Sequence, residues 1–433
     1  MLIDYLIPNK RLPNHEDLDE IIKDIDFWRL SFDCDKNYVD GKDSRGHNII
    51  WKELCESYDE YELKKVKTSI RPYAGSIIQK FRNYIFRNEP TRSELIEDFY
   101  NNCDLYGSTL NDFFSDCLLR AQVDGSCYII PDTTGSTGKL SLAQAREQVM
   151  RPFLRKIKRE HVVDWEKVDG FLTEAIIMLE DEEGYPFARY INDTIYIDIT
   201  INNNNNLMEV IGEPIPHGFP KFPLVELTTE YFPGGSQISQ MAWAQKHIHN
   251  ILAQLGIEVG ENTYTRHILT MDEFPLDTDG KPINPDILMG PRRLTILTGS
   301  NGSTKMEKVG NASPEQATSL REQLQSEIDN LYIVAGLQTP LSKSGAEVKS
   351  GAALYLETND MGVVLDSLAR ECESVENEVL RLVFPDYEGT SYESDFTPKD
   401  PQKDLLIIRD LQSLEFPPEI INDLKIKFAE KYI

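Results

Sequence analysis

Apolar residues recur at steps of three and four in two stretches of the C-terminal part of the chain. In the first, Ala317, Leu320, Leu324, Ile328, Leu331 and Ala335 keep that spacing, which places them on one face of an α-helix. Ser313 suits its N-cap, and Pro314 followed by Glu315 suits a first turn, where free N–H groups and the positive end of the dipole favour both. The second carries Met361, Val364, Leu368, Cys372, Val375, Val379 and Leu382 at near-heptad spacing. Asp366, Glu371, Glu373, Glu376 and Glu378 are expected off that face, and Pro385 stops the helix. Between the two lie residues 336–351, rich in Gly and Ser and bearing Lys343, Ser344, Gly345 and Lys349; this composition predicts a loop that moves.

Upstream, residues 1–60 mix acids, aromatics and turn formers without a clean period. Lys64, Lys65, Lys67 and Arg71 then lead into a helical stretch with Ile78, Phe81 and Ile85 on one face and Lys80, Arg82 and Arg87 mostly elsewhere, among the most basic regions of the chain. A solvated helix surface is the plain reading; contact with nucleic acid or a neighbouring subunit is the alternative. Leu95, Phe99, Leu110, Phe113, Phe114, Cys117, Leu118 and Ala121 predict a helical pair, and residues 125–131 a strand. From Phe153 to Thr200, short apolar segments alternate with polar turns, the pattern of an antiparallel sheet, with the Asn run 202–206 as a hairpin tip. Closely spaced prolines keep residues 214–226 extended. A further helix opens near Ser236, a plausible cap, with Ile238, Met241, Ile248, Leu252, Leu255 and Val259 on one face. Residues 263–312 form a small insert with strands at 293–298 and 304–309, and residues after 398 form short helices broken at Pro417 and Pro418. The expected class is α+β.

With 433 residues the chain can bury a sizeable core and hold more than one module. Its 72 acidic against 45 basic residues, a formal charge of -27, oppose simple electrostatic capture of nucleic acid or an anionic membrane. An acidic wall with a few basic contacts nevertheless suits a surface past which DNA slides without sticking. The six cysteines form no CxxC pair and read as reduced thiols. The first ten residues lack a basic and then long apolar run, and no later segment approaches membrane-spanning length, which predicts a soluble, unsecreted chain with no membrane partner.

Candidate chemistry is sparse. Residues 132–139 invite comparison with a phosphate-binding loop, but Thr133 stands where the first Gly belongs and Leu140 where a magnesium-binding hydroxyl belongs. Residues 299–305 contain no Gly-Lys pair. His247 and His249 are two apart on a helix and diverge, so they cannot ligate one metal together. Asp198, between Ile197 and Ile199, reads as a solvent-facing acid. The expectation is a chain that is not an enzyme and uses no metal or cofactor.

The order of elements resembles a tailed-bacteriophage portal protein over most of residues 70–385. Arg151-Pro-Phe-Leu-Arg-Lys-Ile-Lys-Arg-Glu-His-Val-Val-Asp164 is similar to the segment in which portals pass from a helical region into the wing sheet, and Ser350-Gly-Ala-Ala-Leu354 resembles the start of the long wing helix. The resemblance implies an N-terminal segment (1–60), a wing (61–234), a first stem helix (235–262), a clip (263–312) and a second stem helix (313–335). It further implies a tunnel loop (336–351), a long wing helix (352–395) and a short helical crown (396–433). Residues 1–60 and the short C-terminal part depart from the pattern. The function implied is a homo-oligomeric ring, typically a dodecamer, at one capsid vertex of the virion, assembled in the host cytoplasm. Double-stranded DNA is packaged through it by the terminase and later ejected. The ring sits in the major capsid protein shell and receives head-tail adaptor proteins. Lys343, Ser344, Gly345 and Lys349 would face the DNA, and Ile238, Met241, Ile248, Leu252, Leu320, Leu324 and Ile328 would build the stem and its oligomer contacts. A non-channel head or scaffold protein and a magnesium-dependent enzyme acting on nucleic acid are the competing functions.

Overall fold

Helix ends are where the local sequence speaks most directly, and the computed structural model describes them within residues 12–133, 151–180, 186–202, 207–263, 266–271, 278–279, 294–298, 305–309, 314–337 and 351–396. Positions 55, 94–96, 233–234 and 395 are excepted, and scattered positions between 408 and 428 are added. Helix α1 spans Leu18–Asp33. Helix α2, Tyr58–Lys67, opens on a reciprocal cap: the Glu60 N–H donates to Ser57 Oγ (3.2 Å) and the Ser57 N–H donates to the Glu60 carboxylate (3.0 Å). Helices α3 (Tyr73–Ile85), α4 (Glu97–Asn101) and α5 (Leu110–Asp124) follow, and Thr109 caps α5 by accepting the Asp112 N–H at 3.1 Å. Gly125 then turns the chain into strand β2 (Ser126–Thr133) with φ of 87°. Only glycine fits here on two counts, since a Cβ would also stand 2.6 Å from the Gly235 carbonyl oxygen.

The fold is α+β with antiparallel sheets. Strand β2 is the centre of a three-stranded sheet between β3 (Pro152–Lys158) and β9 (Val225–Thr228), antiparallel to both. Beside it, β4 (Val162–Val168), β5 (Phe171–Glu180), β6 (Pro186–Ile191), β7 (Ile195–Asn202) and β8 (Leu207–Pro216) form a five-stranded meander, all neighbours antiparallel. Alternation along β5 fixes its faces: Ala175, Ile177 and Leu179 meet Tyr128, Ile130 and Ile157 of the first sheet, while Ile176 turns to the other side. That other side is sealed by the start of α1, where Leu18 packs with Ile176, Tyr190 and Ile199 and the His15 ring stacks on Trp165 at 3.8 Å.

The largest core is helical. Helices α1, α3 and α5 pack around Phe27, Phe81, Phe113, Phe114 and Leu118, joined by α6 (Ser239–Thr263) and α8 (Gly351–Val383) through Met241, Leu368, Cys372 and Val379. Residues expected to be a poorly patterned N-terminal segment are part of it, since Ile25, Phe27, Trp28, Tyr38, Ile49 and Ile50 are all buried there. The two-residue strands β1 (Thr91–Arg92) and β13 (Thr390–Ser391) pair beside α8. Among the described residues no helix is long and apolar enough to cross a membrane.

Three sequence expectations are corrected. Ser236 does not cap α6. The helix begins at Ser239, whose N–H and hydroxyl both turn back to the Ser236 carbonyl, and the buried Ser236 hydroxyl has no partner. Glu376 is not on a solvated face but fully buried against Arg92. Asp198 is not a bare solvent-facing acid, because Arg189 across the strand pair grips it with Nε and Nη2 at 2.6 and 3.0 Å. Ser313 and the turn from Gly135 to Lys139 lie outside the described residues.

Candidate functional site

Helices α6 and α7 (Pro314–Val334) pack against one another, and the chain between them carries a separate β module. At 25 and 21 residues the helices are about 37 and 31 Å long. In the module, β10 (Arg266–Met271) lies between β11 (Leu294–Thr298), parallel to it, and β12 (Lys305–Val309), antiparallel. The outer two strands are where the sequence places them. Helix α7 has α6 as its principal neighbour. Only its end enters the core, with Leu331 fully buried and Ala335 nearly so. Gly336, with φ of 70°, ends it there, and the Leu337 N–H returns to the Tyr332 carbonyl at 2.8 Å.

The first half of α6 is buried on most of its circumference, with Gln240 and His247 left exposed. Ile238, Met241 and Ile248 are fully buried in the chain's own core, so they do not form the subunit contact expected of them. Gln245, Lys246 and Asn250 are buried as well, and each has a partner to hold. Gln245 accepts the Ala74 N–H at 2.9 Å and donates to the Ser31 carbonyl at 2.8 Å. Asn250 accepts the Trp51 N–H and donates to the Ile49 carbonyl, both at 2.8 Å. Lys246 Nζ meets Asp43 Oδ2 at 2.5 Å with both side chains at most 4% exposed. Burial alone would raise the Asp43 carboxyl, but Lys246 and the N–H groups of His47 and Arg45 hold it below the ordinary aspartate value. These residues have amphipathic spacing in the sequence, yet what resembles a solvent face is a set of ties to α1, α3 and residues 43–51.

His249 is the fourth tie. Its Nδ1–H donates to the Gln245 carbonyl at 2.8 Å, which leaves Nε2 to accept the Arg71 N–H at 3.0 Å. Cys34 Sγ lies 3.9 Å from that same Nε2. A thiol beside an imidazole is the pattern of an activated nucleophile, but burial pushes the Cys34 thiol up to about 12 and the His249 imidazole down to about 4. Both groups are neutral at pH 7 and the imidazole lone pair is already engaged, so the pair is a structural contact. Among the described residues no group of three His, Cys, Asp or Glu side chains is arranged to hold a metal ion.

Beyond the core the two helices open. Leu252, Leu324 and Ile328 are half-buried against the main core, and Leu320 is half-buried further out. There, Gln254, Ile257, Glu258, Gln316, Ser319 and Leu320 line a groove of about 400 Å³ between the helices. Val259 is 44% exposed there. The outer flanks of the hairpin are therefore mixed and uncovered, while its root is fixed. Lys343, Ser344, Gly345 and Lys349 lie outside the described residues, between Leu337 and the first turn of α8. Comparison with protein-family models and with curated proteins finds no match.

Proposed function

We propose that this chain is the repeating subunit of a portal: a ring at one vertex of a tailed-phage capsid through which double-stranded DNA enters and leaves. The observation that carries the reading is the helical hairpin of α6 and α7, rooted in the core, bearing a small β module, and followed further along the chain by the 33-residue helix α8. A hairpin with uncovered flanks is satisfied by neighbours placed on both sides, and head-to-tail repetition that closes on itself supplies them. In this reading α6 and α7 are the stem, the β module is the clip and residues 336–351 line the channel. The sheets with α1 to α5 and α8 form the wing. Terminase, the major capsid protein and a head-tail adaptor are the partners, and the chain carries out no catalysis. Because Ile238, Met241 and Ile248 serve the subunit's own core, subunit contacts in the stem fall to Leu252, Val259, Leu320 and the residues lining the groove.

Negative-stain images of the purified chain test this directly. Closed rings with a central hole are expected. Sheets or solid assemblies would replace the portal with a non-channel head or scaffold protein, and a monomer with magnesium-dependent turnover of nucleic acid would replace it with an enzyme.

A further inference from the structure

Although the chain has 72 acidic residues, residues 63–88 contain neither Asp nor Glu. Helix α3 sits in that run. One side of it, with Ile77, Ile78, Phe81 and Ile85, is core. The other side exposes Gln79, Lys80, Asn83 and Tyr84 at helical spacing, and Arg87 follows just past its end. Some cations of the run are already engaged: Lys64 with Glu56 at 2.7 Å, Lys65 with Asp40 at 2.6 Å, and Arg87 with Glu393 at 3.3 Å. Lys67, Arg71, Lys80 and Arg82 have no carboxylate partner among the described residues. In a chain of formal charge -27, these four cations, Lys67 at the end of α2, Arg71 in the turn and Lys80 and Arg82 on α3, make a basic stretch that attracts an anionic surface.

Such a face could take phosphates or an acidic protein surface, and two observations favour the protein. Exposed apolar side chains belong to the same run, Leu63 at 50% and Val66 at 82% on α2 and Tyr84 at 40% on α3. Aromatic and apolar area flanked by arginine fits a protein interface better than the polar contacts that position a phosphate backbone. The complement is also present on the same chain. Asp19, Glu20 and Asp26 are exposed on the first turns of α1 and have no cationic partner among the described residues, with Lys23 the cation among them.

The two faces cannot neutralise each other within one chain. The first end of α1 is fixed on the five-stranded sheet, where the His15 N–H donates to the Val163 carbonyl at 2.8 Å. Its other end lies against α3, where a Cβ on Gly75 would stand 2.2 Å from the Phe32 carbonyl oxygen. Asp19 and Glu20 lie about 20 and 18 Å along the helix from Phe32, well beyond the screening length of roughly 8 Å at physiological salt, and Asp26 about 9 Å from it. We propose that the acidic first half of α1 in one copy of this chain docks on the basic stretch that runs from the end of α2 through α3 in the next. The contact joins two different surfaces and is therefore head-to-tail, the kind that closes into a ring. This inference rests on the ring reading and names the wing contact that such a ring uses.

Charge reversal with complementation tests it on the full chain, read by sedimentation velocity. Lys67→Glu with Lys80→Glu, and separately Glu20→Lys with Asp26→Lys, are each expected to weaken self-association at least about tenfold while leaving the thermal melt near that of the parent. Mixing the two variants restores assembly, because each reversed face then finds an opposite one, and all four changes in one chain restore it as well. Unchanged association in either variant, or no recovery on mixing, overturns the inference. So does a parent that is monomeric throughout, or a Lys67→Glu, Lys80→Glu variant that assembles normally but loses salt-sensitive binding to a double-stranded DNA fragment. Rings indifferent to reversal would overturn the contact and leave the portal reading standing. Open oligomers that dissolve on reversal and recover on mixing would support the contact and remove the ring.

Discussion

Arg92 and Glu376 are 284 positions apart in the chain and meet through two hydrogen bonds, Nε to Oε1 at 2.6 Å and Nη2 to Oε2 at 3.1 Å. Their side chains are 7% and 0% exposed. The Tyr392 hydroxyl donates to Oε2 at 2.6 Å and the Thr390 hydroxyl to Oε1 at 2.9 Å, so both carboxylate oxygens are occupied twice. This cluster holds the short β1–β13 pair against α8. Removing one partner leaves the other charge buried and unpaired, which typically costs about 3–5 kcal/mol. Arg92→Met is expected to lower stability by that order in a urea titration. Adding Glu376→Gln, which removes the stranded charge but keeps oxygen and amide for its neighbours, should recover part of the loss. A double variant no better than Arg92→Met would mean that the pairing is not the source of the effect.

His249 predicts a pH dependence whose sign follows from its environment. Its folded value, held down to about 4 by burial, lies below the ordinary histidine value of 6.5. Between those two values the unfolded chain binds a proton that the folded chain does not, so stability falls as pH drops from about 6.5 towards 4. The full contribution is on the order of 3 kcal/mol. Other groups also titrate in acid, so the comparison is with His249→Gln, which has no proton to gain. The stability advantage of the parent over this variant is expected to shrink as the pH is lowered from 7 to 4.5. An advantage constant across that range would remove the assignment of His249 as a buried neutral tie.

Much of this architecture is legible locally. The stripe from Leu320 to Ala335, the strand alternation between Phe153 and Thr200, and the helix stop before Pro385 all depend on residues within a few turns of one another, and α7, the meander and α8 follow them. What is not legible depends on a partner far away in the chain. Glu376 has the spacing of a surface acid, because nothing near it in sequence announces Arg92. Gln245, Lys246, His249 and Asn250 likewise pass for the wet side of α6, since their acceptors and donors come from residues 31–74. The same cause misplaces residues 1–60, whose Phe27, Trp28 and Tyr38 find their period only in a core built by later helices. The open outer half of the hairpin could be anticipated from the mixed polarity of α7; the closed inner half of α6 could not.

Among the described residues the three strands of the β module have one another as principal neighbours. Replacing residues 264–313 by a short glycine-serine linker is therefore expected to leave the urea midpoint of the main core unchanged. In the proposed portal the same variant still folds but fails to package DNA or to attach tails. Normal packaging by rings that lack the module would remove its assignment as the clip.

The lysines of residues 336–351 make a prediction that differs in kind from the charge reversals on α1 and α3. Both ends of the loop leave firm structure. Leu337 closes α7 next to the buried Ala335, and α8 starts at Gly351. The Gly/Ser-rich composition of the segment predicts flexibility. In the proposed ring the segment would present Lys343 and Lys349 from every subunit to passing DNA. Contacts of that kind are screened by salt and carry no sequence information, which suits a conduit that must pass any DNA and hold none tightly. Reversing them changes neither partner of the proposed wing contact. Lys343→Glu with Lys349→Glu is thus expected to assemble like the parent, in contrast to Lys67→Glu with Lys80→Glu, and to package or retain less DNA. Particles carrying both loop changes that hold full-length genomes as the parent does would show that the DNA-facing element lies elsewhere.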